Sequence, residues 1–145
     1  MSKVENFLSA KEEKEIVQAI KEAERNTSGE IRVHIEKTTK LSHYLRVQEV
    51  FQSLDMYKTS ERNGVLFYVA VEDRKFVVYG DKGINKVVHP NFWNATKESV
   101  QENFKQGNFK QGIIDGVLKA GEELKNYFPR KIDDVDELSN EISKA

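Results

Sequence analysis

Residues 65–71 read Val-Leu-Phe-Tyr-Val-Ala-Val, with no polar residue at any second position to face water. β-branched and aromatic side chains favour extended backbone. An unalternating strand of this kind needs cover on both faces, so it belongs at the centre of a layered α/β domain. It is also far shorter than the ~20 residues a membrane helix requires. Glu72-Asp73-Arg74 and a second apolar stretch, Lys75-Phe76-Val77-Val78-Tyr79, follow at once. Together they predict a β-hairpin with Asp73-Arg74 as a two-residue turn. That register sets Val71 opposite Phe76 and Leu66 opposite Asp81.

The flanking segments supply the cover. Ser9 and Glu12 have capping-box spacing, and Ile16, Ile20 and Ala23 then recur at helical intervals before Asn26-Thr27-Ser28-Gly29 stops the helix. From Glu30, the residues Ile31, Val33 and Ile35 alternate with polar ones, as in a half-buried strand. Ser42 is a second N-cap, and Val47, Val50, Phe51 and Leu54 form a helical stripe behind it. Beyond Gly83 comes a polar-and-valine connection, INKVVHPN, in which Pro90 fits a turn or the first turn of a helix. Two helices follow, the first marked by Trp93, Val100 and Phe104, the second by Ile113, Val117, Leu124 and Phe128. Gly112, Gly116 and Gly121 in the second imply close packing against the sheet.

The pentapeptide NFKQG at 103–107 is repeated at 108–112. It is too short for a repeat architecture, and it makes Gly107 the end of one helix and Asn108 the cap of the next. Residues 130–145 form an acidic tail with Ile132, Val135, Leu138 and Ile142 loosely at helical spacing, expected as a short docked helix or a frayed end. Strand–helix–strand implies a parallel pair with a right-handed crossover. The hairpin adds an antiparallel strand. The expected fold is a three-layer α/β/α sandwich over residues 1–129.

With 23 basic and 24 acidic residues spread along 145, the net charge is −1. That argues against nucleic-acid or anionic-membrane partners, which need a concentrated basic face. No cysteine is present, so thiol nucleophiles, disulfides and cysteine metal sites are excluded. The N-terminal MSKVENFLSAKEEKE lacks the apolar region of a secretory signal, and a cytoplasmic location is expected. No nucleophile elbow, HExxH, P-loop or dinucleotide fingerprint occurs, and His34, His43 and His89 are scattered.

Topology draws some of the polar residues together. Two parallel strands begin at the same end of the sheet, and the returning hairpin strand finishes there. Glu30, Glu61, Asn63 and Asp81 therefore converge on one edge, with Gly64, Gly80 and Gly83 allowing close approach of the backbone. An all-oxygen set of this kind suits a hard cation, Ca²⁺ or Mg²⁺. Strand-end acids of this sort are otherwise simply solvated. Arg62 and Lys82 lie near the set, as phosphate-facing candidates or as screens for its negative charge, and Trp93 is expected in the core or as a pocket wall. The opposite end carries Glu36, Thr38, Thr39, Glu72 and Asp73, a second polar cluster where ligands of open α/β sheets commonly sit.

These features resemble the TPM domain family. The likeness rests on TSGEIRV at 27–33, Arg62-Asn63-Gly64-Val65 leading into the central strand, DRKFVVYGDKG at 73–83, and FKQGNFKQG at 104–112. It covers roughly residues 7–128 and implies an α/β/α sandwich with a divalent-cation site, often calcium, in an acidic edge pocket. It further implies either phosphatase activity or a binding or assembly role. Position by position, Glu30, Asn63 and Asp81 match the family's polar edge. Arg62 stands where the family usually has Asp, and Tyr79-Gly80-Asp81-Lys82-Gly83 replaces the commoner Tyr-Gly-Leu-Glu-Gly. Many members carry an export signal and a membrane anchor, and a stand-alone domain is expected here. Three functions follow: a divalent-cation-binding module, a metal-dependent phosphomonoesterase, or a module that docks a protein partner.

Overall fold

The unalternating run becomes strand β2 (Gly64–Ala70) in the computed structural model, which describes residues 7–130 and 140–145, and every residue of β2 is buried. It pairs in parallel with β1 (Glu30–Glu36), Glu30 beside Gly64 through to Glu36 beside Ala70. On its other edge it pairs antiparallel with β3 (Lys75–Gly80). A short strand, β4 (Ser143–Lys144), lies parallel to β1 and completes the order β3-β2-β1-β4.

Alternate residues of β2 feed two separate cores, which is why the run shows no polar face. Val65, Phe67 and Val69 pack with Ile31, Val33 and Ile35 of β1. Helices α1 (Ala10–Glu24) and α5 (Phe109–Leu124) cover that side. Their contributions include Ile16 and Ile20 from α1, and Ile113, Val117 and Leu124 from α5. α4 (Asn94–Lys105) packs beside α5 through the buried Val100. Leu66, Tyr68 and Ala70 face the other way, onto Val47, Val50 and Phe51 of α2 (His43–Ser53) and onto Met56. Burial of each such side chain contributes roughly 1.5–3 kcal/mol, so the two-sided strand anchors both layers at once. The three-layer α/β/α sandwich is thus the observed architecture.

Local signals act as their chemistry dictates. The Ser9 hydroxyl accepts from Glu12 N (3.1 Å) and the Glu12 carboxylate from Ser9 N (2.9 Å), closing the capping box of α1. Gly107 has φ 78°, the left-handed turn that ends α4. At Gly116 a Cβ would lie 2.5 Å from Val100 Cγ2 and 3.2 Å from the Phe67 ring, so its absence lets α5 close on α4 and β2.

Three expectations need correction. The hairpin pairs Val69 with Phe76, Leu66 with Tyr79 and Val65 with Gly80, so its loop is four residues, Val71–Arg74, with Arg74 left-handed at φ 51°. Val71 is apolar and β-branched, which made it look like strand, yet its amide is used by the Glu36 carbonyl (2.9 Å) instead. No helix is expected directly after Asp81, yet Lys82–Asn85 forms a one-turn helix, α3. The tail, expected as a helix or a frayed end, closes as β4. Ile142 packs against the core, Ala145 N donates to the Ile35 carbonyl (3.1 Å), and Lys144 forms an ion pair with Glu13. The expectation for Ile132, Val135 and Leu138 lies outside the described residues.

Candidate functional site

The amino end of the parallel strands is assembled from three loops. Thr27-Ser28-Gly29 connects α1 to β1 and is tied down by Ser28 N, which donates to the Phe128 carbonyl (2.9 Å). Residues 59–63 lead into β2, with Asn63 N donating to Thr59 Oγ1 (3.1 Å). Asp81 closes β3 and donates its amide to the Gly64 carbonyl (3.0 Å). The parallel register then links Glu30 N to the Asn63 carbonyl (3.3 Å).

Side chains extend this scaffold. Ser28 Oγ donates to Glu61 Oε2 (2.8 Å) and accepts from Asn63 Nδ2 (3.3 Å). Glu61 is exposed, whereas Asn63 and Glu30 are buried at 1% and 2% exposure. Asn63 Oδ1 is buried with no hydrogen-bond partner. An amide carbonyl removed from water without compensation costs about 1–3 kcal/mol, so this atom has a capacity left unfilled. Glu24, unflagged by the sequence because it sits in the last turn of α1, is also here: its Oε2 accepts from Ile31 N (2.8 Å).

Asp81 stands apart from the others. Its Oδ2 accepts from Arg62 Nε (2.8 Å), and its Oδ1 accepts from Arg62 Nη2 (3.1 Å) and Lys82 N (2.7 Å). Both oxygens are therefore engaged by a bidentate guanidinium, while Asp81 also caps α3. The loop is held tightly here. Gly83 N donates to the Arg62 carbonyl (2.8 Å), and a Cβ on Gly83 would lie 2.0 Å from the Glu61 carbonyl oxygen. Lys82 is exposed, and Trp93 is a core residue that closes over Gly80. Among the described residues no three His, Asp or Glu side chains form a group able to hold a metal ion. Any cation here would need Asn63 Oδ1 and other neutral oxygens beside the carboxylates.

The carboxyl end is organised differently. Glu36, at the last position of β1, is 3% exposed. Arg46 of α2 forks onto it, with Nε 2.9 Å from Oε2 and Nη2 2.7 Å from Oε1. His34 Nε2 lies 3.0 Å from Oε1, and the Tyr68 hydroxyl donates to Oε2. Burial opposes ionisation of Glu36, but the hydrogen bonds from Arg46, Tyr68 and His34 overcome it and hold the carboxyl at about 2. Burial likewise pushes His34 below its ordinary value despite the neighbouring carboxylate, and raises Tyr68. His34 Nδ1 reaches Ser143 Oγ of β4 (2.9 Å), joining the tail to this network. Nearby, Asp73 accepts from Thr38 (2.6 Å) and lies 2.9 Å from His43 Nε2. Sequence reading placed Glu36 and Asp73 at this end but missed Arg46, whose position on α2 only tertiary packing reveals.

A family model described as the TPM domain matches residues 1–123. Among solved structures, the chain is similar to BA42 protein from the psychrophilic bacterium Bizionia argentinensis, with 60% identity, full coverage of both chains and a TM-score of 0.94. It is also similar to the N-terminal domain of a protein from P. gingivalis, at 16% identity and TM-score 0.67 over 84% of this chain and 79% of that one. The N-terminal domain of the cg2496 protein from Corynebacterium glutamicum gives 14% identity and TM-score 0.65, over 81% and 74%. These last two likenesses bear on the fold alone. No curated protein matches the chain.

Proposed function

The chain belongs to the TPM domain family, and we propose that it is a binding module of that family which takes a divalent cation, Ca²⁺ or Mg²⁺, at the amino end of its parallel strands. The observation that carries this reading is Asn63 Oδ1, a buried carbonyl oxygen without a partner, beside Ser28 and Glu61 and one residue-pair from Glu30. The donor chemistry fits a hard cation that accepts irregular oxygen ligands, which favours Ca²⁺ over the strictly octahedral Mg²⁺. Glu61, Asn63 and Glu30 would hold the ion, with Ser28 orienting Glu61. Asp81 would join only if Arg62 released it.

The reading stops short of hydrolysis. A phosphatase site would ask Arg62 to receive the phosphate, and its guanidinium is engaged by Asp81. No described helix is long and apolar enough to cross a membrane, and a cytoplasmic module remains our placement.

Backbone amide NMR during a Ca²⁺ and then a Mg²⁺ titration tests this. Saturable shifts at residues 28–30 and 61–64 are expected, larger for Ca²⁺. Unchanged signals there in millimolar Ca²⁺ would end the proposal.

A further inference from the structure

At the opposite end of the sheet from the proposed cation edge lies a recess of about 660 Å³. It opens where β2 ends, β3 begins and α4 passes into α5. That volume falls within the roughly 300–1,000 Å³ of small-molecule pockets. The carboxyl ends of parallel strands are also where open α/β sheets commonly bind ligands.

The duplicated NFKQG builds its wall. Phe104 from the first copy and Phe109 from the second both line the recess, with ring centroids 5.2 Å apart. Phe7 meets Phe109 at 4.8 Å and Phe76 meets Phe104 at 6.0 Å, so four rings form a continuous apolar surface. Gly107, left-handed at the end of the first copy, turns the chain, and both phenylalanines line the same recess. The two lysines of the duplication diverge. Lys110 is paired with Glu15 (2.9 Å), whereas Lys105 lines the recess with Arg74 and Lys75 of the hairpin. All three of these cations are exposed. Among the described residues, no carboxylate lines the recess and none pairs with Arg74, Lys75 or Lys105.

An aromatic trough rimmed by three exposed cations complements one kind of small molecule. We propose that this recess binds a single-chain carboxylate amphiphile, with its apolar tail against Phe7, Phe76, Phe104 and Phe109 and its carboxylate at Arg74, Lys75 and Lys105. The aromatic wall selects for tail length, and the basic rim selects for a negative head. The site is independent of the cation edge, because no residue is shared between them.

The test uses the full chain without divalent cation, titrated with decanoate below its aggregation concentration and followed by amide NMR. Saturable shifts confined to Phe7 and to residues 69–76 and 101–109 are expected. Octanoate, two methylenes shorter, should bind about fifteenfold more weakly, since each buried methylene is worth about fourfold in affinity. Decanol should bind distinctly more weakly than decanoate. The double variant Lys75→Gln/Lys105→Gln alters only exposed side chains and should fold normally, with decanoate affinity reduced between about threefold and tenfold. The proposal is overturned if decanoate gives no saturable shift or shifts spread elsewhere. It is equally overturned if decanol or decylammonium binds as tightly as decanoate, or if the double variant binds decanoate unchanged.

Discussion

Two carboxylate–arginine forks sit at opposite ends of the same sheet, and their surroundings differ. Glu36 receives Arg46, Tyr68 and His34, so its lone pairs are filled by protein groups from β1, β2 and α2. Asp81 receives Arg62, which is 40% exposed, and one backbone amide, and it lies in a loop cluster where Asn63 Oδ1 has no partner. A buried carboxylate whose bonds are completed internally fixes the packing of the layers around it. An end that leaves a buried oxygen unfilled has capacity for something else. The carboxyl-end fork is structural and the proposed binding falls at the amino end, although both ends looked like acidic clusters in the sequence.

The largest expected effect breaks the structural fork. Arg46→Ala leaves Glu36 charged and buried, and should cost about 3 kcal/mol in urea unfolding, the low end for a broken buried pair because Arg46 is itself 28% exposed. Arg62→Asn, which suits the left-handed backbone at that position, should cost clearly less, because water can replace an exposed guanidinium. Equal losses would erase the distinction between the two ends.

Acid should act through the structural fork next. The Glu36 carboxyl sits at about 2 in the folded chain against an ordinary 4.5. Its contribution is therefore complete above 4.5 and disappears as pH falls through about 2, a loss on the order of 3 kcal/mol. His34, held neutral by burial, adds an earlier limb. The unfolded chain takes up its proton near 6.5 and the folded chain only at lower pH, so stability begins to fall below 6.5. Glu36→Gln should flatten the lower limb of a stability–pH curve. A curve identical to that of the native chain would show that Glu36 is not the group responsible.

A smaller effect is expected at the other end. Asn63→Ala removes one long hydrogen bond together with an uncompensated carbonyl, so stability should change by no more than about 1 kcal/mol. A loss as large as that of Arg46→Ala would make Asn63 a structural residue and weaken the binding assignment.

Much of this fold was legible because its strongest signals are local. The Ser9 box, the alternation of Ile31, Val33 and Ile35, and the unbroken β2 run each depend on neighbours in sequence. The hairpin register was not, since Val71 carries strand chemistry while its amide serves Glu36. Nor was β4, whose pairing with His34 and Ile35 spans more than a hundred residues and leaves no periodic mark. At the candidate site, Glu30 and Asn63 could be brought together from topology alone. That Asp81 is held by Arg62 could not, because the fork joins the loop before β2 to the end of β3, and Arg62 is left-handed there.

The most direct measurement is thermal unfolding with and without Ca²⁺ for the native chain, Asn63→Ala and Glu36→Gln. A ligand at one hundred times its Kd stabilises the folded state by about 2.7 kcal/mol. The expected result is a Ca²⁺-dependent rise in Tm for the native chain and for Glu36→Gln, and none for Asn63→Ala. A Tm that ignores Ca²⁺ in the native chain, or rises equally in Asn63→Ala, would contradict the assignment of cation binding to the amino end.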